Sequence, residues 1–433
     1  MEKTRVAIVG MGTVGTGVAR LLLDQGDRTA RHAGRTLWLE KIVVRDPSKP
    51  RDVDLPAGLL TDNLDEVLQH SEIEVVAQLI GGLEPARTIM LKLLESGKNV
   101  VTANKALLAE HGAELFDRAR ELGRSIAFEG AVAGGIPIVT NIGQCLSANQ
   151  ILSVVGILNG TSNFIVTAMA EQGLSAEEAI AQAQANGYAE ADPTMDIDGT
   201  DAAQKLAILA HLAFGARVHW SEIPRTGIDQ LEPIDLRFAD ELGYRVKLLG
   251  VAQLVDDRVE MHVAPTLIRQ GRPLAEVRGA YNAITVVGDA VGRVFYHGLG
   301  AGQMPTASAV VADLIDTSVG RTQITFGNLE LWSDRTPTTD VRAQRDLPGR
   351  YYLRWQVDDR PGVMAKIAGI LGEHSVSIAS VIQHEAESDD ASDVPLVIMT
   401  HQTTEGAIGD ALAAIHRLPF VRSRAVKMRV LER

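Results

Sequence analysis

Cysteine and long apolar runs are scarce in this chain. It has one cysteine in 433 residues, which excludes an intramolecular disulfide, and we expect Cys145 to be a buried small apolar residue. No apolar run is long and uncharged enough to cross a membrane. The charged residues Glu2 and Lys3 lead directly into a strand pattern, which predicts the absence of a signal peptide. A soluble, cytoplasmic protein is therefore expected.

Basic clusters are also missing. The formal net charge is −13, and no group of basic residues is interleaved with the few aromatic residues, which excludes a nonspecific nucleic-acid binder. No Cys/His spacing resembles a structural zinc site. The expected partners are small molecules, and the chain is long enough for more than one domain.

The amino-terminal glycines follow a dinucleotide-binding pattern. An apolar strand pattern at residues 4–9 is followed by Gly10, Gly12 and Gly15 and then by a helical pattern at residues 16–23. Gly10 permits a tight turn, Gly12 lets the backbone approach a pyrophosphate, and Gly15 allows the helix to pack closely on the strand. A nicotinamide dinucleotide is the expected cofactor.

The end of the second strand pattern bears on the choice of cofactor. Residues 37–44 precede Arg45 and Asp46. An acid at this place accepts hydrogen bonds from the ribose hydroxyls of NADH, whereas an arginine contacts the 2′-phosphate of NADPH. Arg45 favours NADPH and Asp46 leaves NADH open, while a solvated strand-end charge remains the alternative for Arg45.

Two further features follow strands of this region. Lys105 comes just after the strand pattern at residues 99–102, at the edge where open α/β sheets bind ligands, so it either contacts substrate or cofactor or is a solvated loop lysine. A strand at residues 125–129 leads into a glycine-rich loop at residues 130–137. Its carbonyls beside Glu129 either coordinate a hard cation or form a plain turn.

An acidic segment with a single lysine spans residues 186–206. Pro193 and Gly199 break the backbone, so we expect the acids on a loop and a helix from Thr200 onward. Asp201 and Lys205 then share one helical face. A lysine held by a carboxylate can pass a proton to or from a substrate oxygen, which alcohol and aldehyde chemistry requires. The alternative is a surface ion pair.

The remaining sequence predicts a mixed sheet and a third folded unit. Strand patterns at residues 152–158, 245–255, 259–265 and 283–287 indicate an inserted substrate and dimerization domain. The glycine loop at residues 298–302 either approaches the cofactor or acts as a hinge, and the helix after Pro305 returns to the nucleotide domain. From residue 351 the order βαββαβ is that of a ferredoxin-like unit.

Taken together, these motifs resemble the homoserine dehydrogenases of the long bacterial type with a carboxyl-terminal ACT domain. The resemblance covers nearly the whole chain. It rests on these segments in order: residues 10–15, 102–105, 129–137, 159–163, the acidic segment through Lys205, and residues 300–302 followed by 305–307. Leu299 stands where the family has proline in its Gly-Pro-Gly-Ala-Gly loop.

The resemblance implies an α/β fold with three domains. These are a Rossmann-type NAD(P)-binding domain at residues 1–140, completed by about 301–325, and an α+β substrate-binding and dimerization domain at residues 141–300. A linker at residues 326–349 precedes a ferredoxin-like ACT domain at residues 350–433. A homodimer or homotetramer is expected.

The implied reaction is the NAD(P)-dependent interconversion of L-homoserine and L-aspartate 4-semialdehyde, the branch step towards threonine, methionine and isoleucine. By similarity, Lys205 is the acid/base, Asp201 and Asp196 orient it and hold the substrate, and Lys105 is a second lysine near cofactor and substrate. Other roles are carried over in the same way: the substrate site includes Glu190, which binds the amino group, with Gly187 and Thr161 nearby, and the cofactor site includes Gly10, Gly12, Thr13, Val14, Gly15, Arg45, Lys105 and Gly302.

The family also implies a cation and an effector. Glu129 with the carbonyls of Val132, Gly134 and Ile136 would hold a sodium-like ion. The ACT domain implies feedback by an amino acid, threonine first, or else serves only to assemble subunits. Two other functions remain: an amino-acid-sensing regulator without catalysis, and an oxidoreductase for a different small aldehyde. The Asp201–Lys205 pair argues against the first, and Glu190 argues against the second.

Overall fold

The structure is a computed structural model that describes residues 2–333, 338–384 and 393–432. It divides into two compact units. The first unit comprises Met1–Gly160, Asp201–Ile223 and Tyr281–Thr339, and the second comprises Thr161–Thr200, Pro224–Ala280 and Asp340–Arg433. Within the described ranges, no helix is both long enough and apolar enough to cross a membrane.

The strands are numbered in chain order. They are β1 (Lys3–Val9), β2 (Thr36–Val43), β3 (Leu60–Thr61), β4 (Ile73–Gln78), β5 (Asn99–Thr102), β6 (Ile126–Ala127), β7 (Ile151–Ile157), β8 (Tyr244–Val255), β9 (Arg258–Arg269), β10 (Tyr281–Gly288), β11 (Gly292–Leu299), β12 (Pro348–Asp358), β13 (Ile378–Gln383), β14 (Asp393–Thr400), β15 (Thr403–Thr404) and β16 (Val426–Val430).

The helices are numbered in the same way. They are α1 (Thr13–Asp24), α2 (Gly26–Ala33), α3 (Asp65–Leu68), α4 (Ala86–Glu95), α5 (Lys105–Glu121), α6 (Ile138–Thr140), α7 (Gly160–Gln172), α8 (Ala176–Ala185), α9 (Thr194–Ile197), α10 (Thr200–Phe214), α11 (Pro233–Glu241), α12 (Gln303–Ser318), α13 (Arg321–Leu329), α14 (Val363–Glu373) and α15 (Glu405–Ile415).

A parallel sheet forms the core of the first unit. Its strand order is β3-β2-β1-β4-β5-β6, so the order reverses at β1. Open α/β sheets bind ligands at such a switch point, beside the carboxyl ends of the strands. Buried aliphatic residues of β1, β2 and β4 pack with helices α1 and α12. The same unit contains an antiparallel sheet of β7, β10 and β11.

The second unit contains a mixed sheet in the order β8-β9-β16-β12-β14-β13. Strands β8 and β9 form a long antiparallel hairpin, and β16 pairs with β9 in parallel. The carboxyl-terminal segment β12-α14-β13-β14-α15-β16 has the expected βαββαβ order, and its own buried core includes Tyr351, Trp355 and Ile398. The mixed sheet and the ACT-like unit predicted from the sequence are therefore present.

Several local predictions were wrong. Cys145 is exposed, because Ile142 and Leu146 take the buried positions of this π-helical turn. The strand predicted at residues 125–129 is limited to β6, and Glu129 begins a 3₁₀ turn because its amide bonds the Asp313 carboxylate instead of a neighbouring strand. Strand β11, which leads directly into the glycine loop, was not anticipated.

The acidic segment and the linker also differ from expectation. Asp196 lies in the one-turn helix α9 instead of a loop; just before this helix, Asp192 accepts a hydrogen bond from the backbone N–H of Thr194 at 3.1 Å and closes a turn. The predicted linker, residues 326–349, is shortened by α13 and by the start of β12. Its residues 334–337 lie outside the described residues.

Candidate active site

Asp201 and Lys205 form a buried ion pair on the first turns of α10. The Nζ of Lys205 lies 2.6 Å from Asp201 Oδ2 and 2.8 Å from the carbonyl oxygen of Leu158, at the end of β7. The amide of Asn159 donates to the same Asp201 oxygen at 2.8 Å. These residues are at most 8% exposed, so the alternative of a surface ion pair does not apply.

Lys105 joins this pair from the other side of the carboxylate. Its Nζ lies 3.1 Å from Asp201 Oδ1, so each oxygen of Asp201 contacts a different lysine. Asn104 positions Lys105 at the start of α5 by accepting from the Leu107 amide at 3.1 Å and donating to the carbonyls of Ile80 and Gly82 after β4. Lys105 is therefore paired with Asp201 at the start of a helix, and the alternative of a solvated loop lysine does not apply.

The two lysines determine the ionisation of Asp201. Burial by itself raises the pKa of a carboxyl group, but the charges of Lys205 and Lys105, with hydrogen bonds from Lys205 and Asn159, hold the pKa of Asp201 well below its usual range. The carboxylate is thus ionised at neutral pH. A charge that is buried, paired and hydrogen-bonded is characteristic of functional sites.

The contacts that Asn159 makes with Asp201, and the Leu158 carbonyl with Lys205, were not predicted from the sequence. Both residues follow strand β7, and α10 begins about forty positions further along the chain. The Asn-Gly dipeptide directly after a strand was the available signal, but only the fold shows which carboxylate the amide meets.

The glycine motif forms a cradle for phosphate. Gly10 has φ +99°, and a Cβ on Gly15 would lie 2.2 Å from the Gly10 carbonyl oxygen, so the turn requires glycine at both positions. The space above Gly12 is open, and no side chain caps the amino terminus of α1. The first amides of α1, at Thr13 and Val14, are thus left for a pyrophosphate. A dinucleotide fits these residues.

Arg45 and Asp46 differ in their hydrogen bonding. Both Ser48 N and Ser48 Oγ donate to Asp46 Oδ1, at 2.9 and 2.6 Å, so that carboxylate closes a local turn. Arg45 is exposed and makes no hydrogen bond or ion pair with any residue that the structure describes.

The second glycine loop lies beside the nucleotide-binding elements of the same unit. Gly302 caps α12 with φ +116°, and Ala307 of α12 lies where a Cβ on Gly17 of α1 would approach to 2.9 Å. Small residues thus bring α12 against α1, and Arg20 of α1 bonds Gln303 at 3.1 Å. Helix α12 therefore packs on α1, the helix that follows the first glycine motif.

In the loop after β6, some of the expected cation ligands already accept hydrogen bonds from the protein. The Glu129 carboxylate accepts from Val139 N at 2.9 Å and from Thr140 N and Oγ1 at 2.8 and 2.5 Å. The carbonyl of Ile136 accepts from Ile138 N. Ala133 and Gly134 have positive φ, which turns the backbone between Val132 and Ile136. Burial raises the pKa of Glu129 despite its three donors.

The expected substrate residues Thr161, Gly187, Glu190 and Asp196 belong to the second unit. The hydroxyl of Thr161, at the start of α7, donates to the Tyr188 carbonyl at 2.7 Å. This bond ties the segment of Gly187 and Glu190 to α7. The Glu190 side chain is exposed, whereas Asp196 is half-buried on α9.

The sheet order, the glycine cradle and the buried lysine–carboxylate pair define a class of protein: an oxidoreductase with a Rossmann-type nicotinamide-binding domain. Comparisons with known proteins specify it further. The family described as homoserine dehydrogenase, NAD binding domain, matches residues 10–129, the homoserine dehydrogenase family matches residues 137–315, and the ACT domain matches residues 351–420. The chain belongs to the homoserine dehydrogenase family.

Individual relatives match most or all of the chain. Homoserine dehydrogenase of Pseudomonas aeruginosa is 44% identical, with 99% of each chain covered. A crystal structure of a homoserine dehydrogenase from Thiobacillus denitrificans aligns with a TM-score of 0.91 at 41% identity, covering 100% of this chain and 99% of that one. A hyperthermophilic archaeal homoserine dehydrogenase mutant in complex with NADPH aligns with a TM-score of 0.61 at 26% identity, over 73% and 98%.

Proposed function

We propose that this chain interconverts L-homoserine and L-aspartate 4-semialdehyde with NADPH, in the biosynthesis of threonine, methionine and isoleucine. The observation that supports this most directly is the contact of buried Lys205 and partly exposed Lys105 with the two oxygens of buried Asp201. When bound, the cofactor supplies the hydride that reduces the aldehyde carbon.

Lys205 is the general acid and base of this reaction. Two of its three N–H groups have acceptors in the described part of the chain, Asp201 and the Leu158 carbonyl, which leaves one for a substrate oxygen. In the reducing direction Lys205 donates a proton to the oxygen of the aldehyde as the alkoxide forms. In the oxidising direction it removes the proton of the hydroxyl. Asp201 orients Lys205, and Lys105 contacts substrate and cofactor.

Recognition of the substrate is assigned to the second unit. Glu190 binds the ammonium group of the substrate, with Gly187 and Thr161 nearby, and Asp196 holds the substrate as well. The exposed Glu190 carboxylate, and the bond that ties its segment to α7, support this assignment. An ammonium group requires a carboxylate of this kind, which favours an amino-acid substrate over a plain aldehyde.

The cofactor preference follows from the residues after β2. Arg45 has no partner among the described residues, whereas Asp46 already accepts two hydrogen bonds from Ser48. A 2′-phosphate would give Arg45 a partner, so NADPH is preferred to NADH. Gly10, Gly12, Thr13, Val14, Gly15 and Gly302 line the remainder of the cofactor.

A sodium ion is proposed for the loop after β6. Its ligands are the carbonyls of Val132, Gly134 and Ile136 with the carboxylate of Glu129, an all-oxygen set of the kind that hard cations prefer. The turn at Ala133 and Gly134, where φ is positive, supports this grouping, whereas the donors at Val139 and Thr140 compete for the carboxylate. Turnover that depends on sodium at constant ionic strength would support the site.

The ACT domain is assigned to feedback by L-threonine, and the chain to a cytoplasmic homodimer or homotetramer. Strand β11 supports the assembly, because Phe295 and Leu299 lie on one face of it and are 37% and 43% exposed. Large apolar side chains grouped on an exposed face, with polar side chains such as Arg293 and His297 beside them, are typical of interfaces between proteins.

The activity is tested by NADPH oxidation with two aldehydes. We expect kcat/KM for L-aspartate 4-semialdehyde to exceed that for succinate semialdehyde, which lacks the amino group, by at least about 100-fold. L-threonine should slow the reaction and D-threonine should not. Equal rates with the two aldehydes would favour an oxidoreductase of a different substrate, and no turnover would favour the sensing regulator.

A further inference from the structure

The second unit contains a cavity of about 740 Å³ that the proposed reaction does not use. Helices α7 and α11, strand β8 and the turn from Ala275 to Arg278 line it. We refer to it as the α7–α11 cavity. Its volume is sufficient for a small metabolite.

The charged groups of this cavity carry both signs. Four cationic residues line it, Arg237, Arg245, Lys247 and Arg278, against the three acids Glu171, Asp240 and Glu241. The acids already have partners: Glu171 lies 3.1 Å from Arg278, Asp240 contacts Arg245, and Glu241 lies 3.1 Å from His384. The groups that remain available are therefore cationic.

Lys247 is the first of these available cations. It is only 4% exposed, and its Nζ donates to Asn163 Oδ1 at 3.0 Å and to the carbonyl of Val277. An ammonium has three protons to donate, and the third has no acceptor among the described residues. Burial lowers the pKa of Lys247 to about 8, since no carboxylate contacts it directly. A bound anion would supply both the missing acceptor and a counter-charge.

Arg237 is the second available cation. It lies on the exposed side of α11 and has no hydrogen bond or ion pair with the part of the chain that the structure describes. The cavity thus offers one buried and one exposed cation, with apolar side chains such as Met169 and Leu236 along the wall.

The two helices of the cavity are attached to other functional parts of the second unit. On α11, buried Asp235 receives two hydrogen bonds from Arg354 of β12, at 2.6 and 2.9 Å, and one from Tyr352 at 3.0 Å. On α7, Asn163 stands two residues from Thr161, which holds the carbonyl of Tyr188. One wall is therefore fixed to the ACT domain and the other to the segment of Glu190.

We propose that the α7–α11 cavity is an effector site for a small dicarboxylate, with one carboxylate at Lys247 and the other at Arg237. Through Asn163 the ligand acts on the Glu190 segment, so it changes the affinity for substrate more than the chemical step. This second part rests on the proposed function, whereas the binding site itself does not.

Binding is tested by isothermal titration calorimetry on the full chain, with succinate as the probe and succinamide as its uncharged counterpart. We expect saturable binding of succinate and none of succinamide. Arg237→Gln and Lys247→Met should each weaken binding at least about tenfold. The matched control is Arg31→Gln, at an exposed arginine of α2, which should bind as the wild type does.

Arg237→Gln tests the site even if Lys247→Met disturbs the fold, because Arg237 is exposed and a melting curve will show whether the variant is intact. Absence of succinate binding at up to about 20 mM, or equal binding by wild type and Arg237→Gln, would overturn the site.

The effect on catalysis is measured separately. Saturating succinate should change KM for L-homoserine at least about twofold and leave kcat unchanged, because a change in KM alone reflects equal changes in the binding of ground state and transition state. Binding without any change in KM would overturn the coupling to the Glu190 segment. Succinate binding to a chain that proves inactive would refute the proposed reaction and leave the site standing.

Discussion

At the scale of single residues, Asp201 is the centre of the candidate site. Its two oxygens contact Lys205 and Lys105, and Asn159 adds a third donor. Burying a carboxylate is costly unless it is paired and hydrogen-bonded, and here each condition is met. The arrangement holds two cationic groups in fixed positions, and the proposed function gives Lys205 the proton transfer and Lys105 the contact with substrate and cofactor.

Arg45 carries the prediction on cofactor choice. Arg45→Ala should lower the ratio of kcat/KM for NADPH to that for NADH about tenfold, because a 2′-phosphate loses a charged hydrogen-bond partner. The variant Arg31→Ala removes an exposed arginine from α2 and should leave the ratio unchanged. Steady-state rates with both cofactors give the answer, and an unchanged ratio in Arg45→Ala would assign Arg45 to solvent.

At the scale of elements, α10 carries two separate groups of polar residues. Its first turns bear Asp201 and Lys205, and its last turn bears His211. His211 is stacked on Trp332 with 4.4 Å between ring centroids, its Nδ1 faces the Ala216 carbonyl at 3.2 Å, and its Nε2 accepts from the Trp332 amide at 2.7 Å. The ring is therefore neutral, with its proton on Nδ1.

This environment predicts a loss of stability in acid. Burial, assisted by the nearby charges of Arg217 and Arg120, lowers the pKa of His211 from 6.5 to about 4. Because the unfolded chain binds this proton first, the stabilisation is complete above pH 6.5 and is lost as the pH falls towards 4. Between pH 7.5 and 5 the loss should be on the order of 2 kcal/mol.

The variant His211→Gln isolates this contribution, because glutamine offers a donor and an acceptor but does not titrate. Its free energy of unfolding, measured by urea denaturation at both pH values, should fall by on the order of 2 kcal/mol less than that of the wild type. Equal losses in the two proteins would show that His211 is not the group responsible.

Elements differ in how well the sequence predicts them. Strand β1 with its glycine turn, and the βαββαβ order of the last unit, follow from local pattern, since apolar periodicity and turn residues are both contained in short segments. Strand β11 was missed because it leads straight into the glycine loop at Gly300, and the glycines there indicate a loop and not a strand. Helix α9 was missed because it is a single turn between Pro193 and Gly199, two residues that indicate a loop.

At the scale of the whole molecule, contacts between distant segments are what the sequence could not supply. The spacing of Asp201 and Lys205 was visible, but the carbonyl of Leu158 and the amide of Asn159 meet them only because the residues after β7 lie beside the first turns of α10. Exposure of Cys145 likewise depends on which residues of its turn face the core.

The proposed site residues are divided between the two units. Lys205, Lys105 and the nucleotide cradle belong to the first unit, whereas Glu190, Thr161 and the ACT-like sheet belong to the second. Under the proposed function, the groups for chemistry and cofactor binding lie in one unit, and those for substrate recognition and regulation lie in the other. An effector that binds to the second unit should accordingly change KM more than kcat.

The most direct test of the account is turnover and cofactor binding by Lys205→Ala. With L-homoserine the variant should lose at least about 100-fold in kcat, because it lacks the group that takes the proton, and its Kd for NADPH should stay within about twofold of the wild type. The control Lys92→Ala, at an exposed lysine of α4, should match the wild type in both measurements. Near-normal turnover by Lys205→Ala would contradict the mechanism.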